Sequence, residues 1–242
     1  MTLSEMRRVL DERGLRLTRS LGQNFLHDGN QLRRIVAAAE LREGDPVLEI
    51  GPGLGPLTEQ LLAHAGRILA IEKDARLVAF LQERFAGRAG LELRHADALD
   101  LLTRERADWR GWKMVSNLPY SVASPILVEL ADARRGPDLM VTTLQWEVMQ
   151  RLASAADEET YGVLTLLVGL AYTLKTRFRI PASCFFPEPE VDSACVTLMR
   201  RSPPLLLPPE ETVFRRLVKR GFSQRRKQLA KLLRTDWPPA FL

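Results

Sequence analysis

Three short stretches of this sequence carry side chains that could do chemistry. The first, Gly51-Pro-Gly-Leu-Gly55, follows a short apolar run and opens a helical pattern. Glycines such as Gly51 and Gly53 let a backbone turn sharply and approach a ligand at the carboxyl end of a parallel sheet. Taken alone, the turn would serve a nicotinamide or flavin ligand as well. Its third glycine comes one residue earlier than in the dinucleotide G-x-G-x-x-G, which argues against a pyrophosphate. The second feature is a pair of acids, Glu72 and Asp97, closing the next two strands. A carboxylate about 20 residues past the glycines can accept from both hydroxyls of a ribose, and the next acid is placed to accept from an adenine amine. Either acid could instead cap the helix that follows it. Read together, they describe an adenosine ligand without a phosphate cradle, which S-adenosylmethionine fits.

The third stretch is Asn117-Leu-Pro-Tyr120, at the end of another apolar run. An adenine exocyclic amine is a poor nucleophile because its lone pair is delocalised into the ring. Two acceptors, the Asn117 side-chain oxygen and the Leu118 carbonyl, would hold the NH2 and favour pyramidal geometry. Pro119 would fix the bend that aims that carbonyl, and Tyr120 would stack on the base. No strong general base is needed, because the nitrogen can shed its proton after attacking a sulfonium methyl; alignment does most of the work. The competing reading is a turn that uses Asn and Pro for shape alone.

The elements that must position these residues follow from apolar periodicity. Helical stripes are expected at Asn30–Leu41, Leu57–Ala65, Ala75–Phe85, Pro125–Asp132 and Trp146–Ala153, and an apolar stretch at Val163–Ala171. Strands are expected at Pro46–Ile50, Arg67–Ile71, Leu91–Arg94, Lys113–Ser116 and Leu139–Leu144. Strands alternating with helices imply a parallel sheet covered on both faces. Two late β-rich segments, Thr173–Ile180 and Cys195–Arg200, add the hairpin of the methyltransferase variation on the dinucleotide-binding plan. The expected fold is α/β: a Rossmann-like class I SAM-dependent methyltransferase with a seven-stranded, mostly parallel sheet and a small helical C-terminal domain. Pro203, Pro204, Pro208 and Pro209 break the chain, so residues 1–202 are expected to form the catalytic domain with a basic N-terminal arm, and 203–242 a short basic helical domain.

Composition excludes several classes. No apolar run approaches the roughly 20 residues of a membrane span, and Met1–Leu10 lacks a signal-peptide core, so a cytoplasmic protein is expected. Cys184 and Cys195 have no Cys-x-x-Cys spacing, and His27, His64 and His95 are scattered, so neither a metal site nor a triad is expected. The net charge of +5 favours a polyanionic partner. Cations cluster at Arg7 to Arg19 and again in the tail, where Arg220, Arg225, Arg226 and Lys227 are the candidate RNA contacts; a solvated helix face is the bland alternative for each group.

Taken in order, Gly22-Gln-Asn-Phe-Leu26, Glu49-Ile-Gly-Pro-Gly-Leu-Gly55, Ala70-Ile-Glu72, Asp97-Ala-Leu99, Asn117-Leu-Pro-Tyr120, Phe185-Phe-Pro-Glu-Pro-Glu-Val-Asp-Ser193 and Gln224-Arg-Arg-Lys227 resemble the KsgA-type ribosomal RNA adenine dimethyltransferases, relatives of the macrolide-resistance rRNA methyltransferases. The resemblance implies transfer of two methyl groups to N6 of each of two adjacent adenosines near the 3′ end of 16S rRNA in the assembling small subunit, by a protein expected to be monomeric. It implies cofactor contacts at Asn24, Leu26, Gly51, Glu72, Asp97 and Asn117, and places Phe185 across the target base from Tyr120. Two features depart from the family pattern. Gln145-Trp-Glu-Val148 stands where the family commonly has Gln-Lys-Glu-Val, and the family usually runs on into further helices where this sequence closes at Leu242. A large-subunit (23S) methyltransferase of the resistance type and an RNA-binding assembly factor are the rival readings. The leucine of Asn117-Leu-Pro-Tyr120 and the Gln224-Arg-Arg-Lys227 segment favour the small-subunit branch.

Overall fold

The computed structural model describes residues 1–17, 22–132, 134–224, 227–234 and 236–238. The chain opens with a helix α1 (Leu3–Glu12), a two-residue strand β1 (Phe25–Leu26) and a helix α2 (Gly29–Ala38). Strands and helices then alternate: β2 (Pro46–Ile50), α3 (Pro56–Leu61), β3 (Arg67–Glu72), α4 (Ala75–Arg84), β4 (Leu91–His95), α5 (Ala98–Glu105), β5 (Lys113–Asn117), α6 (Ala123–Leu130), β6 (Leu139–Gln145) and α7 (Trp146–Ala153). The remainder is α8 (Val163–Ala171), β7 (Tyr172–Ile180), β8 (Phe185–Phe186), β9 (Ser193–Arg200), α9 (Pro208–Gly221) and α10 (Leu229–Leu233).

Seven strands form one sheet in the order β4-β3-β2-β5-β6-β9-β7. Those from β2 to β6 are parallel, and β9 runs antiparallel between β6 and β7. This is the class I methyltransferase architecture expected above. Alternating side chains feed two cores. Leu48, Ile50 and Met114 pack with α5, α6 and α8, whereas Val47, Val115 and Val141 pack with α2 and α3. Burial on both faces explains why these strands read as continuous apolar runs.

After β4 the chain returns to the centre and lays β5 on the other side of β2, a reversal of strand order that leaves a crevice at the carboxyl ends. The β2–β5 pairing covers only Val47 with Lys113 and Leu48 with Met114. Beyond it the Ile50 N–H donates to Ser116 Oγ at 2.8 Å, in a fully buried position. A side-chain hydroxyl thus finishes what the ladder leaves undone, and the strand ends can part without an orphaned amide.

At the front end the structure differs from a simple basic arm. Thr2 and Glu5 form a reciprocal capping box, and the helix it starts buries Met6 and Leu10 against Phe25, Leu54 and Leu77. Arg7 projects from its polar side, 5.1 Å from the centre of the Phe186 ring. Arg13 pairs with Glu83, and Arg19 lies outside the described residues. At the other end α9 begins on Pro208 and Pro209, where a missing N–H costs nothing. It is attached to the body by buried Glu211 and Val218 and by Arg215, which donates to the Ala131 carbonyl.

Glu49 is a buried acid on the α3 side of β2. Burial pushes its carboxyl up to about 8, with the Glu72 carboxylate adding to the effect. The Thr58 hydroxyl lies close enough to pull the other way, but neither it nor Glu49 Oε2 completes a hydrogen bond of standard geometry.

Two outcomes are expected. Ser116→Ala strands the Ile50 N–H and should cost about 1–3 kcal/mol, read by denaturant unfolding; an unchanged midpoint would refute that role. For Glu49 the folded form holds its proton to higher pH than the unfolded chain, so its contribution is fully present below about pH 4.5 and is lost as pH rises through about 8. The stability of Glu49→Gln relative to the parent should therefore climb over that window and then level off. Parallel curves in a pH series of thermal melts would contradict it.

Candidate active site

The carboxyl ends of β2, β3, β4 and β5 surround a cleft of about 780 Å³, its open mouth included, a size typical of small-molecule sites. Gly51 and Gly53 form one wall with φ of 70° and 61°. An added Cβ would stand 3.1 Å from the Pro119 ring at Gly51 and 2.6 Å from the Phe25 ring at Gly53. Both positions need the left-handed backbone and the missing side chain. Glu72 is the buried anchor of the site. Its Oε1 accepts from the Lys73 and Asp74 amides at 2.8 and 2.9 Å, and its Oε2 accepts from the Gly53 amide at 3.1 Å. Burial raises its pKa while those three donors hold it down. The carboxylate thus comes pre-oriented, with one lone pair, on Oε2, left over for a ligand hydroxyl.

Asp97 shows that the cap and the site are not exclusive alternatives. Its Oδ1 caps α5, accepting from the Leu99 and Asp100 amides at 2.9 and 3.3 Å, while Oδ2 pairs with Lys73 Nζ at 2.7 Å. The Lys73 bond is the main reason its pKa is lowered, against the effect of burial. Asp97 lines the cleft together with the glycines, as do Asn24 and Gln23 of the N-terminal segment. Leu26 is different: its side chain belongs to the core on the α2 side, its main chain is in the pairing with Phe185, and it does not line the cleft. The set of glycine cradle, buried carboxylate and second acid fits the adenosine portion of S-adenosylmethionine, with Asn117 at the cleft's far side.

Asn117 closes β5 with its amide locked. Nδ2 donates to the Asn24 carbonyl at 2.9 Å, and Oδ1 accepts from the Thr143 hydroxyl of the neighbouring strand. Thr143 lies directly opposite Asn117 in the β5–β6 register. The oxygen keeps a second lone pair, and its direction is fixed before any substrate arrives. Tyr120 donates to or accepts from Ser193 Oγ at 2.5 Å, and burial pushes its phenol up to about 12, so it stays neutral. Phe185 is buried and meets Tyr120 edge to face, with ring centres 6.4 Å apart at 66°. A base sandwiched between parallel rings needs about 7 Å, twice the van der Waals spacing. The two rings are brought together as a pair, with no parallel slot between them.

Sequence reasoning missed several members of this site. Thr143 was signalled by the adjacent hydroxyls of Thr142 and Thr143 inside an otherwise apolar strand, and Ser193 ends a motif already quoted. Lys73 and Gln23 gave no signal of their own. β1 and β8 were also missed: Phe25 and Leu26 pair antiparallel with Phe186 and Phe185, which joins the cofactor side of the cleft to the aromatic pair. Among the tail cations, Arg220 is engaged by the Leu232 carbonyl at 3.0 Å and by Asp236 at 3.3 Å, tying α9 to α10. Lys227 is exposed, and Arg225 and Arg226 lie outside the described residues. Among the described residues no group of acids, histidines and cysteines could hold a metal, and both cysteines are free thiols.

Comparison with known proteins bears on the whole chain. The family model described as ribosomal RNA adenine dimethylase matches residues 14–242. The chain is 39% identical over 228 residues to ribosomal RNA small subunit methyltransferase A of Ligilactobacillus salivarius, covering 92% of this chain and 77% of that protein. It is likewise 39% identical over 224 residues to the protein of the same name from Geobacter sulfurreducens, covering 91% and 81%. Among solved structures, a dimethyladenosine transferase from Plasmodium falciparum superposes with a TM-score of 0.72 at 28% identity, over 88% of this chain and 75% of that one. The 23S rRNA methyltransferase ErmE gives 0.68 at 28% identity, over 88% and 85%. With glycine cradle, paired acids and Asn-Leu-Pro-Tyr corner all at one edge of this sheet, the chain belongs to the ribosomal RNA adenine dimethylase family.

Proposed function

We propose that this protein transfers methyl groups from S-adenosylmethionine to N6 of two adjacent adenosines near the 3′ end of 16S rRNA, acting as a monomer on the assembling small ribosomal subunit in the cytoplasm. The observation that carries the reading is the locked Asn117 amide at the edge of an adenosine-sized cleft, next to the Tyr120–Phe185 pair. The small-subunit choice is supported by the relatives at 39% identity, which bear that name. No helix among the described residues is long and apolar enough to cross a membrane.

When bound, the cofactor supplies an electrophilic sulfonium methyl. Glu72 would accept from a ribose hydroxyl, Asp97 from the adenine amine, and the glycine wall would let the ligand lie against backbone. The target base would enter beside Asn117. Asn117 Oδ1 and the Leu118 carbonyl would accept its two N–H bonds and stabilise the positive charge that grows on nitrogen during attack. Neither Tyr120, kept neutral, nor any histidine is needed as a base, since the proton leaves after the methyl has moved. Because Tyr120 and Phe185 now meet edge to face, entry of a base requires one ring to turn. After the first methylation one acceptor loses its partner, so the second transfer relies on the remaining contact and on stacking. In this reading residues 203–242 act as a small basic module on the catalytic body, with Lys227, Arg225 and Arg226 toward RNA and Arg220 holding the module together.

Asn117→Ala should lower kcat about 100- to 1000-fold, the scale of losing one preorganised electrostatic contact. Cofactor affinity and melting temperature should change far less; near-normal turnover would refute the mechanism. The decisive assay is transfer of labelled methyl to unmethylated small subunits with mapping of the modified bases. Dimethyladenosine at two adjacent positions near the 3′ end is expected. Modification of large-subunit RNA alone would transfer the assignment to the resistance-type reaction.

A further inference from the structure

The opposite edge of the sheet carries a second feature that the methyl-transfer chemistry does not use. The loops entering β5 and β6 form an open groove, about 800 Å³ with its solvent mouth included, lined by Arg106, Arg110, Arg134, Arg135 and a single acid, Asp108. Arg106 and Arg135 also line an adjoining cleft that reaches Arg215 and Lys219 on α9, where Glu129 and Asp132 add negative charge. The loop is held in shape by Asp132, which accepts from the Arg134 and Arg135 amides at 2.9 and 3.2 Å and pairs with the Arg135 guanidinium at 3.0 Å. Arg135 also donates to the Arg106 carbonyl at 3.1 Å, tying the two loops together.

Two of the four arginines are neutralised, Arg110 by Asp108 and Arg135 by Asp132. Arg106 and Arg134 are exposed, and neither guanidinium has a hydrogen bond or ion pair with any described residue. Arg106 also sits at φ 46°, ending α5 in the left-handed conformation where glycine is the usual residue. A cation is thus kept at a backbone position that disfavours it. The nearby aromatics are spent elsewhere: Trp109 is buried and packs edge to face on Trp112, with ring centres 5.3 Å apart. The groove therefore offers charge and guanidinium forks but no stacking platform, which suits phosphates rather than bases.

We propose that this groove binds the sugar–phosphate backbone of an RNA segment other than the one presenting the target adenosines. The inference rests on the RNA-modifying reading above. β5 separates the groove from Asn117 by five residues, about 15 Å of strand, so the nucleotides immediately next to a base held at Asn117 do not reach it, and the contact falls to RNA further along the chain or in another segment. The contact is independent of sequence and is made by a folded RNA that passes both edges of the domain.

The test is binding of the full chain to unmethylated small subunits across a salt series. Each phosphate contact contributes about 0.9 to the slope of log affinity against log salt, so Arg106→Gly combined with Arg134→Ala should lower the slope by about two. The glycine relieves the backbone at 106, and cofactor affinity should be unchanged. Arg106→Lys with Arg134→Lys keeps the charge and should keep most of the slope. An unaltered slope in the first variant overturns the proposal, as does an equal loss in both. Wild-type methyl transfer to the same subunits is measured in parallel. Its absence overturns the proposed function, while the slopes still decide the groove.

Discussion

The buried hydrogen bond from the Ile50 amide to the Ser116 hydroxyl is the contact on which the cofactor edge depends. A parallel sheet gains stability by pairing every backbone group, yet a ligand site at a switch point needs two central strands to stop pairing before they end. Ser116 reconciles the two demands. It satisfies the amide that the shortened β2–β5 ladder abandons, and it sits one residue before Asn117, so the same strand end that parts from β2 presents the locked Asn117 amide to the cleft. Next to it, Gly51 leaves the room that the Pro119 ring occupies. Cleft, cradle and bend are consequences of how one pair of strands separates.

The site is stiff where direction matters and adjustable where volume matters. The Asn117 amide is held by β6 and by the N-terminal segment, and the Glu72 carboxylate by three amides, so neither must be ordered at the moment of binding. Preorganisation of this kind is what lets a few acceptors act on an unreactive amine. The aromatic pair is held unevenly: Phe185 is packed into the core on the α2 side, whereas Tyr120 is tied by one hydroxyl-to-hydroxyl contact and an edge-on ring meeting. In the proposed reading, a pocket that must admit first an amine and then its bulkier methylated form is better served by an adjustable Tyr120 ring against a fixed Phe185 than by a rigid slot.

Much of this was legible in the sequence because it is local. Apolar runs closed by Gly51, Glu72, Asp97 and Asn117 gave the strands and the order of the ligand-facing residues, and Trp146–Ala153 was placed to the residue. What escaped was non-local or very short. β1 and β8 are two residues each, below any period that could reveal them, and exist only because they meet. Thr143 matters through its register with Asn117, which no linear reading gives. α1 is the exception: its Thr2–Glu5 capping box is local and visible in the sequence, followed by arginines that also suit a solvated basic face. The arginine groove is non-local too, assembled from loops about 30 residues apart in sequence whose charges look like ordinary surface when read one at a time.

The pairing of Phe25 and Leu26 with Phe186 and Phe185 has a thermodynamic corollary. One strand of this small ribbon borders the cleft at the carboxyl ends of the sheet, and the other carries Phe185 of the Tyr120–Phe185 pair. Whatever orders one strand would therefore be felt by the other. Any such coupling is reciprocal: by whatever factor the donor improves binding of the acceptor base, the base improves binding of the donor. Were the ribbon to couple them, loss of a spent cofactor between successive methylations would weaken the hold on the RNA by the same factor, tying residence time to the number of methyl groups transferred.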